Sequence, residues 1–90
     1  MTVAQTMRRK LEAEFAPLEL TITDESHRHA GHAGARAGGE SHFHVAMVAP
    51  VFAGLGRVER QRRVHAALAE ELAGPVHALA LALRAPGEGQ

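Results

Sequence analysis

The segment from Asp24 to Val48, DESHRHAGHAGARAGGESHFHVAMV, constrains the fold more than any other. Just before it, Leu18, Leu20 and Ile22 alternate with Glu19, Thr21 and Thr23. At its far end, Phe43, Val45 and Met47 alternate with His42, His44 and Ala46. Period-two alternation of this kind marks half-buried strands, and the two are expected to pair antiparallel. The connection between them, about sixteen residues, far exceeds the usual hairpin loop of ~2–5. Gly38-Gly39 can take positive φ and turn the chain into the second strand. The loop holds His27, His29 and His32, and His42 and His44 open the strand beyond it. Histidine is the commonest metal ligand, and loops carried on a rigid scaffold hold much of protein function. A solvated loop whose histidines merely hydrate it is the plain alternative, and spacing alone does not separate the two.

The flanking segments supply the layer such a hairpin needs. Thr2 followed by Gln5 has the form of a capping box. Val3, Met7, Leu11 and Phe15 then recur every four residues, predicting an amphipathic helix that stops near Ala16-Pro17. Pro50 to Gly56 reads as a short turn or helical piece. Arg57 to Leu72 reads as the longest helix, with Val64, Leu68 and Leu72 as its apolar stripe and Gly74-Pro75 as its stop. Arg57 and Gln61 project on the same side as Val64 and Leu68, so the first turn of this helix is expected either to overhang its sheet or to line a cleft. Val76 to Leu83 reads as a third strand, with His77, Leu79, Leu81 and Leu83 on one face and Ala78, Ala80 and Ala82 on the other. Each strand has one face of large apolar residues, so the expected architecture is α+β: order α-β-β-α-α-β, a three-stranded mixed sheet with helices on one face. The crossover through the helices suits a parallel pairing of the last two strands. One domain over residues 1–84 and a tail without order over 85–90 complete the layout.

Composition removes several function classes. The 10 basic and 10 acidic residues balance, so there is no global field for a polyanion. Cysteine is absent, which rules out disulfides and any thiolate site built by this chain alone. Trp and Tyr are absent and Phe numbers 3, which disfavours base-stacking platforms. No apolar run is long enough to span a membrane and no secretory pattern opens the chain, so a soluble cytoplasmic protein is expected. Ser26, Ser41 and Asp24 lie beside histidines, but no nucleophile elbow accompanies them, and catalysis is not expected.

His77 is the histidine in phase with a leucine row, either a core residue with a satisfied hydrogen bond or a ligand at the core's edge. If it and a loop histidine face a common site, two neutral imidazoles supply half of a tetrahedral set. The remaining donors must then be carboxylates, waters or the thiolates of another molecule. Ligation of a [2Fe–2S] cluster by two imidazoles and two thiolates is chemically sound. It would be pH-sensitive, because imidazoles bind only when deprotonated. Zinc held by His27, His29 and His32 alone stays open.

In order along the chain, DESHRHAGH, GESHFHVAMV, F-x-G, VERQRRV, LAEEL and VHALAL together resemble the BolA family over nearly the whole chain up to Leu83. Each motif alone is weak; ESHF followed by VHAL is specific. The resemblance implies a fold like that of a type II KH domain and a partnership with monothiol glutaredoxins of the CGFS type. It implies a [2Fe–2S] cluster shared with the glutaredoxin and its bound glutathione, with none held by the isolated protein. His77, in the motif VHAL, is the implied ligand. A second comes from the loop, His29 by alignment on ESxxH, with His32 next in rank. The apo protein is expected as a monomer or weak homodimer. Family members are also described as transcription regulators, which would set Arg57, Arg60, Arg62 and Arg63 against DNA phosphates. The same arginines could instead meet glutaredoxin or glutathione carboxylates. Gln61 stands where family members commonly have His, and Gly54-Leu55-Gly56 does not match the GxxG loop of nucleic-acid-binding KH domains.

Overall fold

The computed structural model describes residues 2–25 and 41–88. The chain runs α1 (Val3–Phe15), β1 (Glu19–Asp24), β2 (His42–Val48), a 3-10 turn (Pro50–Phe52), α2 (Arg57–Ala67), α3 (Ala69–Ala73) and β3 (Ala78–Arg84). The strands form one sheet in the order β1-β2-β3. β1 is antiparallel to β2, pairing Glu19 with Val48 and Asp24 with Phe43. β3 is parallel to β2, pairing His42 with Ala78 and Val48 with Arg84. The α+β architecture expected from the pattern is therefore the one observed. No helix of the described residues is long and apolar enough to cross a membrane.

α1 starts as its capping box requires. The Thr2 hydroxyl accepts from the Gln5 N–H at 3.1 Å, and the Gln5 side chain accepts from the Thr2 N–H at 2.8 Å. Its stripe buries Met7, Leu11 and Phe15. The helix ends at Ala16, which takes a left-handed φ of 46° and returns its N–H to the Glu12 carbonyl. Phe43, Val45 and Met47 of β2 lie beneath the helices, and Phe52, Val64 and Leu68 fill the same core. β2 is the central strand, so its inward side chains are buried where those of the two edge strands are only half-buried.

Three expectations need correction. The long helix is two helices. Leu68, at φ −107° and ψ 21°, breaks the run after α2, and the short α3 that follows aims Glu70 and Glu71 at Lys10 of α1. The third strand begins at Ala78 rather than Val76. His77 and Ala78 both donate their N–H to the Ser41 carbonyl, at 2.7 and 3.2 Å. Two consecutive donors on one acceptor break the alternation, so the leucine face does not extend back to His77. Val76 turns inward instead, and His77 is exposed. The segment after Arg84 is not a structureless tail through Glu88. Ala85 is buried, and Glu88 closes a turn by donating its N–H to the Ala85 carbonyl and accepting from the Ala85 N–H.

Candidate functional site

Two places in the structure hold the side chains singled out by the sequence. The first is the end of the sheet where β2 and β3 begin. Ser41 is fully buried there, and its carbonyl anchors the backbone of His77. The Ser41 hydroxyl shares a 2.8 Å hydrogen bond with His42 Nδ1. The His42 and His77 rings stack with centroids 6.2 Å apart and planes inclined by 17°. Parallel pairing produces this proximity, because the register that sets His42 beside Ala78 brings His77 level with Ser41. On the other side of β2, the Glu25 N–H donates to the His42 carbonyl at 2.7 Å. Both anchor points of the histidine-bearing loop, Glu25 and Ser41, thus lie against the strand end that carries His77.

His77 is therefore an exposed imidazole at an open edge, not a core histidine. His27, His29 and His32 lie outside the described residues. Among the described residues no three His, Asp or Glu side chains converge as a metal site. At this strand end the described part offers a metal the imidazoles of His42 and His77, and the chain has no thiolate to add to them. That donor set fits a site completed from outside. His42 reads from sequence only as one of a cluster. Its packing against His77 has no local signal, because it depends on the parallel register.

The second place is a cleft of about 430 Å³ between α2 and β3, lined by Arg57, Arg60, Gln61, Leu81, Ala82, Leu83 and Arg84. Of the two outcomes expected for the first turn of α2, the cleft is the one observed. Arg60 is the most constrained of the four arginines, with its side chain only 12% exposed. It donates to the Leu55 carbonyl at 2.9 Å and the Leu83 carbonyl at 3.3 Å, and it sits over the Phe52 ring. It also grips both oxygens of Glu88 at 2.6 and 2.7 Å. The Arg60 guanidinium, helped by the Ala85 N–H, holds the pKa of the Glu88 carboxyl down at about 2. Arg63 faces another side of the helix, pairing with Glu59 at 3.3 Å, and Arg62 is exposed. Arg57 and Arg60 share the cleft, and Arg62 and Arg63 do not line it. Glu88 gives no signal in the sequence because its partner lies 28 positions upstream.

Comparison with known proteins agrees with this architecture. Residues 11–88 match the BolA-like protein family. The chain is 48% identical over 86 residues to BolA-like protein 1 of Homo sapiens, covering 96% of this chain but 60% of that relative's length. It is 43% identical over 81 residues to the DNA-binding transcriptional regulator BolA of Escherichia coli, covering 90% of this chain and 73% of that one. The structure of BolA1 from Arabidopsis thaliana superposes with a TM-score of 0.89 at 42% identity, covering 100% of this chain and 98% of that one. With the sequence match running from the first helix to the Glu88 turn, the chain belongs to the BolA-like protein family.

Proposed function

We propose that this protein is an adaptor in iron–sulfur cluster trafficking that shares a [2Fe–2S] cluster, as cargo, with a monothiol glutaredoxin of the CGFS type. His77 supplies one imidazole. A loop histidine supplies the second, His29 in the first place and His32 in the second. The glutaredoxin cysteine and a bound glutathione supply the thiolates that this chain lacks. The observation that carries the reading is the exposed His77 imidazole, on a residue whose backbone N–H donates to the Ser41 carbonyl at the strand end that also anchors the histidine loop. A His77 sealed in the core would have removed it. The part played by this chain is to present ligands and leave room for the foreign sulfur donors, and it performs no catalysis.

The test mixes the purified protein with a CGFS glutaredoxin carrying its cluster and follows visible absorption and circular dichroism. The spectra are expected to change on mixing. His77→Ala weakens the change, and His29→Ala and His32→Ala separate the two loop candidates. An unaltered spectrum on mixing overturns the reading.

A second reading, a DNA-binding regulator, draws on the Escherichia coli relative's name and on the exposed Arg62. It expects affinity whose logarithm falls linearly with the logarithm of salt concentration, and a loss of binding on Arg62→Ala or Arg63→Ala.

A further inference from the structure

β3 is an edge strand. In any strand, backbone N–H and C=O groups of alternate residues face opposite sides. The Arg84 carbonyl accepts from Ala49 next to β2, so the even-numbered residues of β3 face the sheet. Leu79, Leu81 and Leu83 therefore direct their N–H and C=O groups outward. The Arg60 guanidinium confirms the direction by reaching the Leu83 carbonyl from outside at 3.3 Å. That outward edge borders the cleft under α2.

We propose that this cleft receives an extended acidic segment of a partner protein, which adds as a fourth strand on β3. Three observations choose this occupant. The alternating N–H and C=O groups of an open edge are matched as a row by another extended peptide backbone. The rim is cationic, with Arg57, Arg60 and Arg84 around a floor of Leu81 and Leu83. Arg57 has no ion-pair partner among the described residues. Finally, the chain already places a carboxylate there: Glu88 lies bidentate on Arg60, as an acidic side chain of the incoming strand would. A single-stranded nucleic acid meets the charge but not the rest. The lining has no aromatic ring on which a base could stack, and bases do not complete a strand edge. Capping of one outward carbonyl by a charged side chain is a common guard on exposed strands, and here the guard is itself a carboxylate receptor.

The β3 edge and the imidazole site are tested separately, because the peptide experiment contains neither glutaredoxin nor iron. The full chain, labelled with ¹⁵N, is titrated with a capped peptide of alternating glutamate and valine. The amide signals of Leu79, Leu81 and Leu83 are expected to shift and their hydrogen exchange to slow. A peptide with lysine in place of glutamate does not bind, and neither does one N-methylated at every residue, which cannot donate to the edge. Arg57→Ala weakens binding about two- to fivefold, the scale of a pair near the surface. Glu88→Gln, which frees Arg60, strengthens it. Equal binding by the N-methylated peptide would reduce the contact to charge alone and overturn the proposal. So would tighter binding of oligothymidylate than of the acidic peptide, or shifts that bypass the three leucine amides.

Discussion

Replacing Phe52 with alanine tests the packing that holds the cleft in shape. Phe52 is fully buried in the 3-10 turn, its ring centroid 5.4 Å from that of Phe15 and 5.9 Å from the Arg60 guanidinium above it. Removing a fully enclosed phenyl group costs its transfer free energy plus that of the cavity left behind, about 3–5 kcal/mol. A domain of this size has a total stability of roughly 5–15 kcal/mol, so the variant should remain folded but near its limit. At ~4–8 °C per kcal/mol for small domains, the melting temperature should drop by about 12–40 °C. Phe52→Leu isolates the ring itself. It keeps most of the apolar volume and loses the aromatic pair and the cation above it, worth together about 1–2 kcal/mol. Val51→Ala is the control: at 41% exposed, Val51 should cost less than ~1 kcal/mol. Urea unfolding followed by far-ultraviolet circular dichroism measures all three, with unchanged slopes expected. A Phe52→Ala loss below about 1.5 kcal/mol would show that the core can collapse around the gap and that Phe52 does not hold Arg60 in place.

Glu88→Gln should remove an acid-sensitive contribution to stability. The Arg60 and Ala85 donors depress the folded carboxyl from 4.5 to about 2, so the contact stabilises fully above the unfolded value and is lost as pH falls through the window from 4.5 to 2. Wild type and variant should therefore differ most near neutrality and converge in acid; a gap in urea midpoint that stays constant with pH would refute this. Gly54 sits at φ 80° with open space where an alanine methyl would stand, so Gly54→Ala should cost about 1–2 kcal/mol from backbone strain alone, read from thermal melts. Ala16 closes α1 with a left-handed φ of 46°, and Ala16→Gly should raise stability by up to ~1 kcal/mol, with no gain counting against a strained cap.

Most of the layer structure could be read from local pattern, because local chemistry sets it. Thr2 and Gln5 cap α1 within one turn, and the alternation through Phe43, Val45 and Met47 needs only the pleat of β2. The parallel pairing of the last two strands followed from the helical crossover that joins them. The errors share one physical origin. Val64, Leu68 and Leu72 continue a single i,i+4 row, yet the helix breaks at Leu68, and α3 is tied down by Lys10, which bonds Glu70 and Glu71, 60 and 61 positions away. His77 fits the leucine alternation, yet the Ser41 carbonyl takes its N–H and the next one together. Glu88 reads as part of a polar tail until Arg60 is beside it. Each is decided by a partner remote in sequence, and periodicity carries no information about such partners. At the site the same limit applied: the sequence pointed to His77 and to the arginines, but not to the ring of His42 against His77 or to the division of the arginines between faces.

β3 connects the two proposals, and its length bears on whether they describe one event or two. From Ala78 to Arg84 the strand advances about 20 Å at ~3.3 Å per residue. His77 precedes one end, and the Arg60–Glu88 grip lies at the other. An added strand would lie ~4.8 Å from β3 in the plane of the sheet, whereas the His42 and His77 rings belong to the strand starts. The cleft end of the added strand, at Leu81 and Leu83, is therefore far enough from His77 for a short segment there and the imidazoles to be occupied together. Titrating the glutamate–valine peptide into a preformed complex with cluster-loaded glutaredoxin should leave the visible circular dichroism unchanged while the Leu81 and Leu83 amides shift. The alternative outcome is equally definite. If the peptide abolishes the visible signal, the body of the glutaredoxin covers the β3 edge, and the acidic strand is then a competitor rather than a second passenger. Arg57→Ala resolves the cause: it should raise the peptide concentration needed about two- to fivefold if competition runs through the cleft, and should leave it unchanged if the displacement arises at the imidazoles.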